Sequence, residues 1–211
     1  MKHHVLDGVL ELLSAKCKEY KQSLGILNME QYVERATSEL VRAYNSFGYN
    51  SYRTNGFGET FEHTHHFKYG SLRFVFDIDK AISLLEGKPN RFDISEFDVS
   101  NGKSRFVYTK PLDTRNHKPK SEPLIAIPFY FVRNKNFLII DGNHRISHAL
   151  DSSKPFLDCF IIHPMRVPLI LRGKFEILLY LIFCDMTIIA NNFGNKEVLM
   201  GQTCLGQYLA T

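Results

Sequence analysis

A chain of 211 residues with 44% hydrophobic and 13% aromatic content can bury a core, which excludes a disordered chain. Its 26 Lys and Arg against 22 Asp and Glu leave a net charge of +4, which favours anionic ligands but falls well short of an obligatory nucleic-acid binder. Cys17, Cys159, Cys184 and Cys204 lie far apart with no Cys-x-x-Cys pair, so neither a zinc knuckle nor a disulfide framework is supported, and reduced thiols in a cytoplasmic protein are expected.

The first apolar stretch carries Asp7 and Glu11, which spoils a secretory signal. Val5, Leu6, Val9, Leu10, Leu13 and Cys17 recur at three- and four-residue steps and predict a helix with one buried stripe. A second helix follows, with Asn28 and Gln31 as a capping-box-like start. Met29, Val33, Ala36, Leu40 and Tyr44 continue its stripe, and Gly48 stops it. Together they form an α-hairpin extension over residues 1–48.

Residues 49–70 are rich in Asn, Gly, His and Tyr around Glu62, His63, His65 and His66. In an extended segment His63 and His65 share one face, where Glu62 or Glu59 would complete a metal shell; a solvated or aromatic-packed loop is the cheaper reading. Glu62, His63 and His65 are therefore candidate metal ligands or additional substrate contacts. Alternation of Leu72, Phe74, Phe76 and Ile78 predicts a half-buried strand over 71–78, after which Asp79 is placed to cap a short helix ended by Gly87 and Pro89. Phe92, Ile94, Phe97 and Val99 suggest an irregular or strand-like segment. Between residues 103 and 120 lie Lys103, Arg105, Lys110, Arg115, Lys118 and Lys120 against Asp113 alone. Such runs are usually solvated, but this one immediately precedes the next strands, which makes Lys118 and Lys120 candidate anion contacts.

Strands are predicted over 124–132, 137–140 and 156–162. The second runs through Asp141-Gly142 into a helix that opens with His144-Arg145. Gly142 permits a tight turn and Asn143 is a candidate N-cap. A helix start combines unpaired N–H groups with the positive end of the macrodipole and so stabilises an anion. The Arg145 guanidinium matches two phosphate oxygens, and His144 supplies one hydrogen-bond donor or a proton carrier; Arg145 as a surface ion-pair partner is the structural alternative. Beyond Pro164 an apolar helix is predicted from Lys174 to about Asn192. It carries Glu176 and Asp185 and is too short to span a bilayer, so no membrane partner is expected. It is either deeply buried or forms a homo-oligomer interface.

The Asp141-Gly142-Asn143-His144-Arg145 loop, set between these strands and its helix, resembles the signature of the ParB/sulfiredoxin-like superfamily over about residues 124–163. The resemblance implies an α/β (α+β) fold: a small mixed sheet with flanking helices, a core over 71–163, and a helix and tail over 164–211, all in a single domain of residues 1–211. It also implies phosphate binding through Gly142, Asn143, His144 and Arg145, with Asp141 and His144 as candidate catalytic residues. Members include cytidine-triphosphate-binding partition clamps, ATP-using sulfinic-acid reductases and free-serine kinases. Where the reductases carry a reactive cysteine this chain has Asn143, so that thiol mechanism is excluded. Only a short segment follows His163, with no basic recognition helix, which disfavours a clamp.

Three function classes follow. The first is a nucleotide-dependent enzyme performing phosphoryl transfer or hydrolysis on ATP, ADP, CTP or a phosphorylated small molecule, with Mg2+. The second is a DNA-associated nuclease or accessory protein gripping backbone phosphates. The third is a non-catalytic nucleotide or protein binder in a defence or regulatory system.

Overall fold

The structure, a computed structural model, describes residues 4–48, 58–67, 70–98, 104–109, 122–131, 136–152, 154–191 and 197–211. The class is mixed α/β, as the sequence predicts, with helices and two sheets. The chain clusters into two compact units where the sequence suggests one domain. One unit comprises residues 1–55, 63–75 and 171–211, the other residues 56–62 and 76–170.

The first unit joins both ends of the chain. Helix α1 (His4–Glu19) buries Val5, Leu6, Val9, Leu13 and Cys17, the stripe its periodicity predicts. A π-turn over Tyr20–Leu24 follows, and Gly25 at φ 65° reverses the chain. Helix α2 (Met29–Phe47) buries Met29, Tyr32, Ala36, Leu40 and Ala43 and stops at Gly48, whose N–H donates to Tyr44 O at 2.8 Å. Its start differs from the expected capping box. Asn28 adopts a left-handed conformation and makes no side-chain cap; its amide instead donates to Glu197 Oε1 at 2.8 Å. A short polar side chain tolerates that conformation, and its amide N–H is taken up by a carboxylate distant in the sequence.

Helix α6 (Lys174–Asn191) packs against α2, and α7 (Cys204–Leu209) packs against α6. Phe175, Leu178, Leu179, Leu181, Ile182 and Met186 of α6 are all buried, while Ile188 near its end is exposed. One carboxylate sits among them. Asp185 is 2% exposed and accepts from Tyr32 Oη at 2.9 Å, from Cys204 N at 2.6 Å and from Leu205 N at 3.0 Å. Burial pushes its carboxyl above the ordinary range, while the two backbone N–H bonds pull it back. Burial also raises the Tyr32 phenol well above its usual value, which keeps it protonated as the donor.

Strands β1 (Thr60–Phe67) and β2 (Gly70–Asp77) and the short β8 (Leu171–Arg172) form a three-stranded sheet in the order β1-β2-β8. This corrects the expected grouping of residues 71–78 with the later strands. Alternation predicted a strand there, but alternation carries no information about the partner strand.

The second unit holds α3 (Ile78–Ser83), β3 (Asn90–Asp93), β4 (Phe106–Val107), β5 (Leu124–Pro128), β6 (Phe137–Asp141), α4 (Asn143–Asp151), β7 (Phe156–Ile161) and α5 (Val167–Ile170). Asp77 Oδ1, rather than Asp79, caps α3 by accepting from Lys80 N at 3.0 Å; Asp79 Oδ2 accepts from Glu59 N at 3.1 Å. The five strands make a mixed sheet ordered β3-β7-β5-β6-β4. β5 ends at Pro128, short of the expected Val132. β6 runs parallel to β4 and antiparallel to β5, while β7 runs parallel to β5. One layer of side chains holds α4 to this sheet: Phe97, Phe106, Leu124, Ala126, Ile139, Ile146 and Ala149. Within that layer the Phe97 and Phe106 rings stack at 4.3 Å, and Phe92 meets Phe106 edge-on at 5.1 Å.

The buried Asp185 cluster yields a stability prediction. Replacing Asp185 with Ala strands a phenol and two backbone N–H groups inside the unit, at a cost of about 3 kcal/mol or more. Chemical denaturation of the wild type and Asp185→Ala measures it; a loss below about 1 kcal/mol would show that these donors find other partners.

Candidate phosphate-binding site

The site grows from the end of β6. Ile139 and Ile140 are buried, and Asp141 then turns through Gly142 into α4. Gly142 has φ 103°, a conformation that disfavours any side chain. A Cβ there would also lie 2.4 Å from Leu124 Cδ2 and 3.1 Å from Arg145 Nε, so the glycine is required for space as well as for backbone angle. Opposite the turn the β5–β6 pairing slips between Ile125 and Ala126, and Ile125 then faces Asp141. Such irregularities re-aim a strand end.

Asn143 is the first residue of α4 rather than its N-cap. Gly142 occupies the cap position, and no side chain caps the helix. The Asn143 side chain reaches across the sheet instead, where its Oδ1 accepts from Thr109 N at 2.9 Å. Thr109 lies just after β4, which is parallel to β6, so both strands deliver their ends to the same edge of the sheet.

Arg145 is 10% exposed. Its Nη2 donates to Asp141 Oδ2 at 2.6 Å, and its Nη1 donates to the carbonyls of Glu122 at 2.5 Å and Pro123 at 2.8 Å. The sequence suggests a fork gripping two phosphate oxygens. Those guanidinium donors are instead spent on the protein, tying the lead-in of β5 to the end of β6. The ion-pair alternative describes this geometry better, although the pair is largely buried rather than on the surface. Asp141 is correspondingly committed to the brace through Oδ2.

His144 is exposed beside the first turn of α4, and Ile146 N is the first N–H of this helix to reach an intrahelical acceptor, Gly142 O at 3.1 Å. The N–H groups of Asn143, His144 and Arg145 precede it, in the positions where a helix has no partner of its own. Lys118 and Lys120 lie outside the described residues. Thr109, inside the basic segment, and Glu122 and Pro123, just after it, make contacts that hold this edge and carry no motif of their own. The only sequence signal for them is their position next to that segment.

His63 and His65 do share one face of β1, half-buried, while Glu62, Thr64 and His66 alternate outward. Burial, reinforced by the neighbouring His65 and His66, lowers His63 to about 4; burial and then His66 lower His65 as well. Neutral imidazoles suit ligation. However, among the described residues no three of His, Cys, Asp and Glu converge to hold a metal ion. Glu62 belongs to the other compact unit.

Comparison of this chain with models of protein families, with curated proteins and with solved structures finds no match.

Two predictions follow from this geometry. Arg145→Ala removes one half of a largely buried ion pair and leaves two carbonyls and a carboxylate short of donors, a loss of roughly 3 kcal/mol in folding stability. Thermal and urea unfolding measure it, and a variant of unchanged stability would return Arg145 to the role of a ligand fork. For His63, the folded-state pKa is depressed below the unfolded value, so the unfolded chain binds more protons between about pH 6.5 and 4. Stability is therefore retained above pH 6.5 and declines as pH falls toward 4. His63→Gln should flatten that acid limb in a pH series of unfolding curves, and an unaltered slope would count against it.

Proposed function

We propose that the β6–α4 junction binds the phosphate of a nucleotide and that the chain acts on it by phosphoryl transfer or hydrolysis. The observation that carries this reading is the left-handed Gly142 turn, braced by Asp141 and Arg145, which opens the first turn of α4 at a sheet edge with His144 exposed beside it. The phosphate receives backbone N–H groups from the helix start and a hydrogen bond from His144, and the helix dipole adds its positive end. Arg145 and Asn143 are positioning residues in this scheme: Arg145 fixes the approach of Pro123, and Asn143 fixes that of Thr109. Asp141 is a structural partner of Arg145, and His144 is the titratable group that carries a proton in this scheme. The resemblance of residues 141–145 to the ParB/sulfiredoxin-like phosphate loop supports the same reading. Mg2+ would be brought with the nucleotide and held chiefly by its phosphates.

The test is a thermal-shift series with AMP, ADP, ATP and CTP, each with and without Mg2+, beside a DNA duplex. A nucleotide at about 100 times its Kd adds about 2.7 kcal/mol of stability, several degrees for a chain of this size. His144→Asn, which keeps a donor but carries no proton, should preserve the shift and abolish any turnover. Stabilisation by DNA alone would favour the nuclease reading, and no shift with any nucleotide would overturn the proposal.

A further inference from the structure

A second cleft, of about 360 Å3, lies in the unit that carries the β6–α4 junction, between the end of α3 and the end of β7. β7 is parallel to β5, and β5 is antiparallel to β6. β7 therefore runs away from the Gly142 turn and ends at Ile161, level with Ala126, and none of residues 141–145 lines the cleft.

The cleft is of mixed character: Leu84, Leu85, Phe160, Ile161 and Ile162 line it together with the polar side chains of Glu86, His163 and Arg166. His163 Nδ1 accepts from Met165 N at 3.3 Å, which caps the short 3-10 turn Pro164–Arg166. With Nδ1 accepting, the ring proton of a neutral His163 resides on Nε2, so the residue offers a donor. The same turn sets Arg166 beside the cleft. Arg166 Nη1 is anchored to Leu84 O at 3.2 Å, and Nη2 pairs with Glu86 Oε1 at 2.8 Å.

The two ends of that ion pair are unequal. The Glu86 side chain is 73% exposed and the Arg166 side chain 39%, and only Arg166 has a backbone anchor at the cleft. An exposed pair of this kind contributes little and exchanges readily. A ligand carboxylate can therefore replace Glu86 on the anchored guanidinium, whereas an amine would have to displace the guanidinium itself. Guanidinium and the His163 N–H together match a carboxylate, and the apolar side chains among the lining residues accept a compact apolar body.

We propose that this cleft binds a small organic carboxylate with a compact aryl or branched-alkyl body, held by Arg166 and His163 after Glu86 swings away. The full chain is titrated with benzoate, benzylamine and benzyl alcohol while the backbone amide signals of Ile161 and His163 are followed by NMR. Benzoate should give a saturable shift with a Kd of about 1 mM or below, and the amine and alcohol should bind at least about tenfold more weakly. Glu86→Gln removes the internal competitor and should tighten benzoate by roughly two- to fivefold, the worth of the exposed pair it breaks. Arg166→Gln should weaken benzoate by about tenfold or more. Absence of a saturable benzoate shift by about 20 mM would overturn the proposal, as would benzylamine binding as tightly as benzoate. If Arg166→Gln does not fold, Glu86→Gln decides alone, since unchanged or weaker benzoate binding in it contradicts displacement of Glu86.

Discussion

The Arg145 guanidinium is the fastening on which the candidate site depends. A β-strand that runs straight into a helix must reverse its backbone within one residue, and Gly142 does so in a conformation that other residues resist. Such a turn remains in place only if its two sides are held. Arg145 holds them by joining Asp141, on the last residue of β6, to the Glu122 and Pro123 carbonyls at the start of β5. A guanidinium suits this task because its donors are fixed in one plane and it stays charged when partly buried. One residue thus sets the turn, the spacing of two strands and the direction of α4.

The same solution recurs in the other compact unit with the charge reversed. Asp185 gathers a phenol from α2 and two N–H groups from the start of α7. In both units a mostly buried charge is tolerated because its hydrogen-bonding capacity is met by groups from several elements, and among the described residues no buried side-chain polar atom is left without a partner. Removing either charge exposes several unmet partners at once, so each acts as a structural centre rather than an isolated pair.

The assignment of roles within residues 141–145 follows from this arrangement. A side chain whose hydrogen-bonding groups are engaged by the protein fixes geometry, as those of Arg145 and Asn143 do. Arg166, beyond the end of β7, shows the contrasting case, tied by one nitrogen and paired through the other to an exposed carboxylate. The two guanidiniums thus differ in how fully the protein engages them.

Much of the local architecture was legible in the residues themselves. The α1 stripe, the α2 stop at Gly48, the strand over 71–78 and the strand–Gly142–helix junction all follow from periodicity and glycine chemistry, which depend on near neighbours. Tertiary structure decided what sequence spacing does not encode. It placed β2 with β1 and β8, turned Asn28 and Asn143 from helix caps toward Glu197 and Thr109, and made Arg145 a brace rather than a fork. For the three side chains these partners lie far away in the sequence, at 169, 34 and 23 residues respectively. Hydrogen-bonding capacity is a property of the residue, but which acceptor or donor claims it depends on where the fold brings distant backbone.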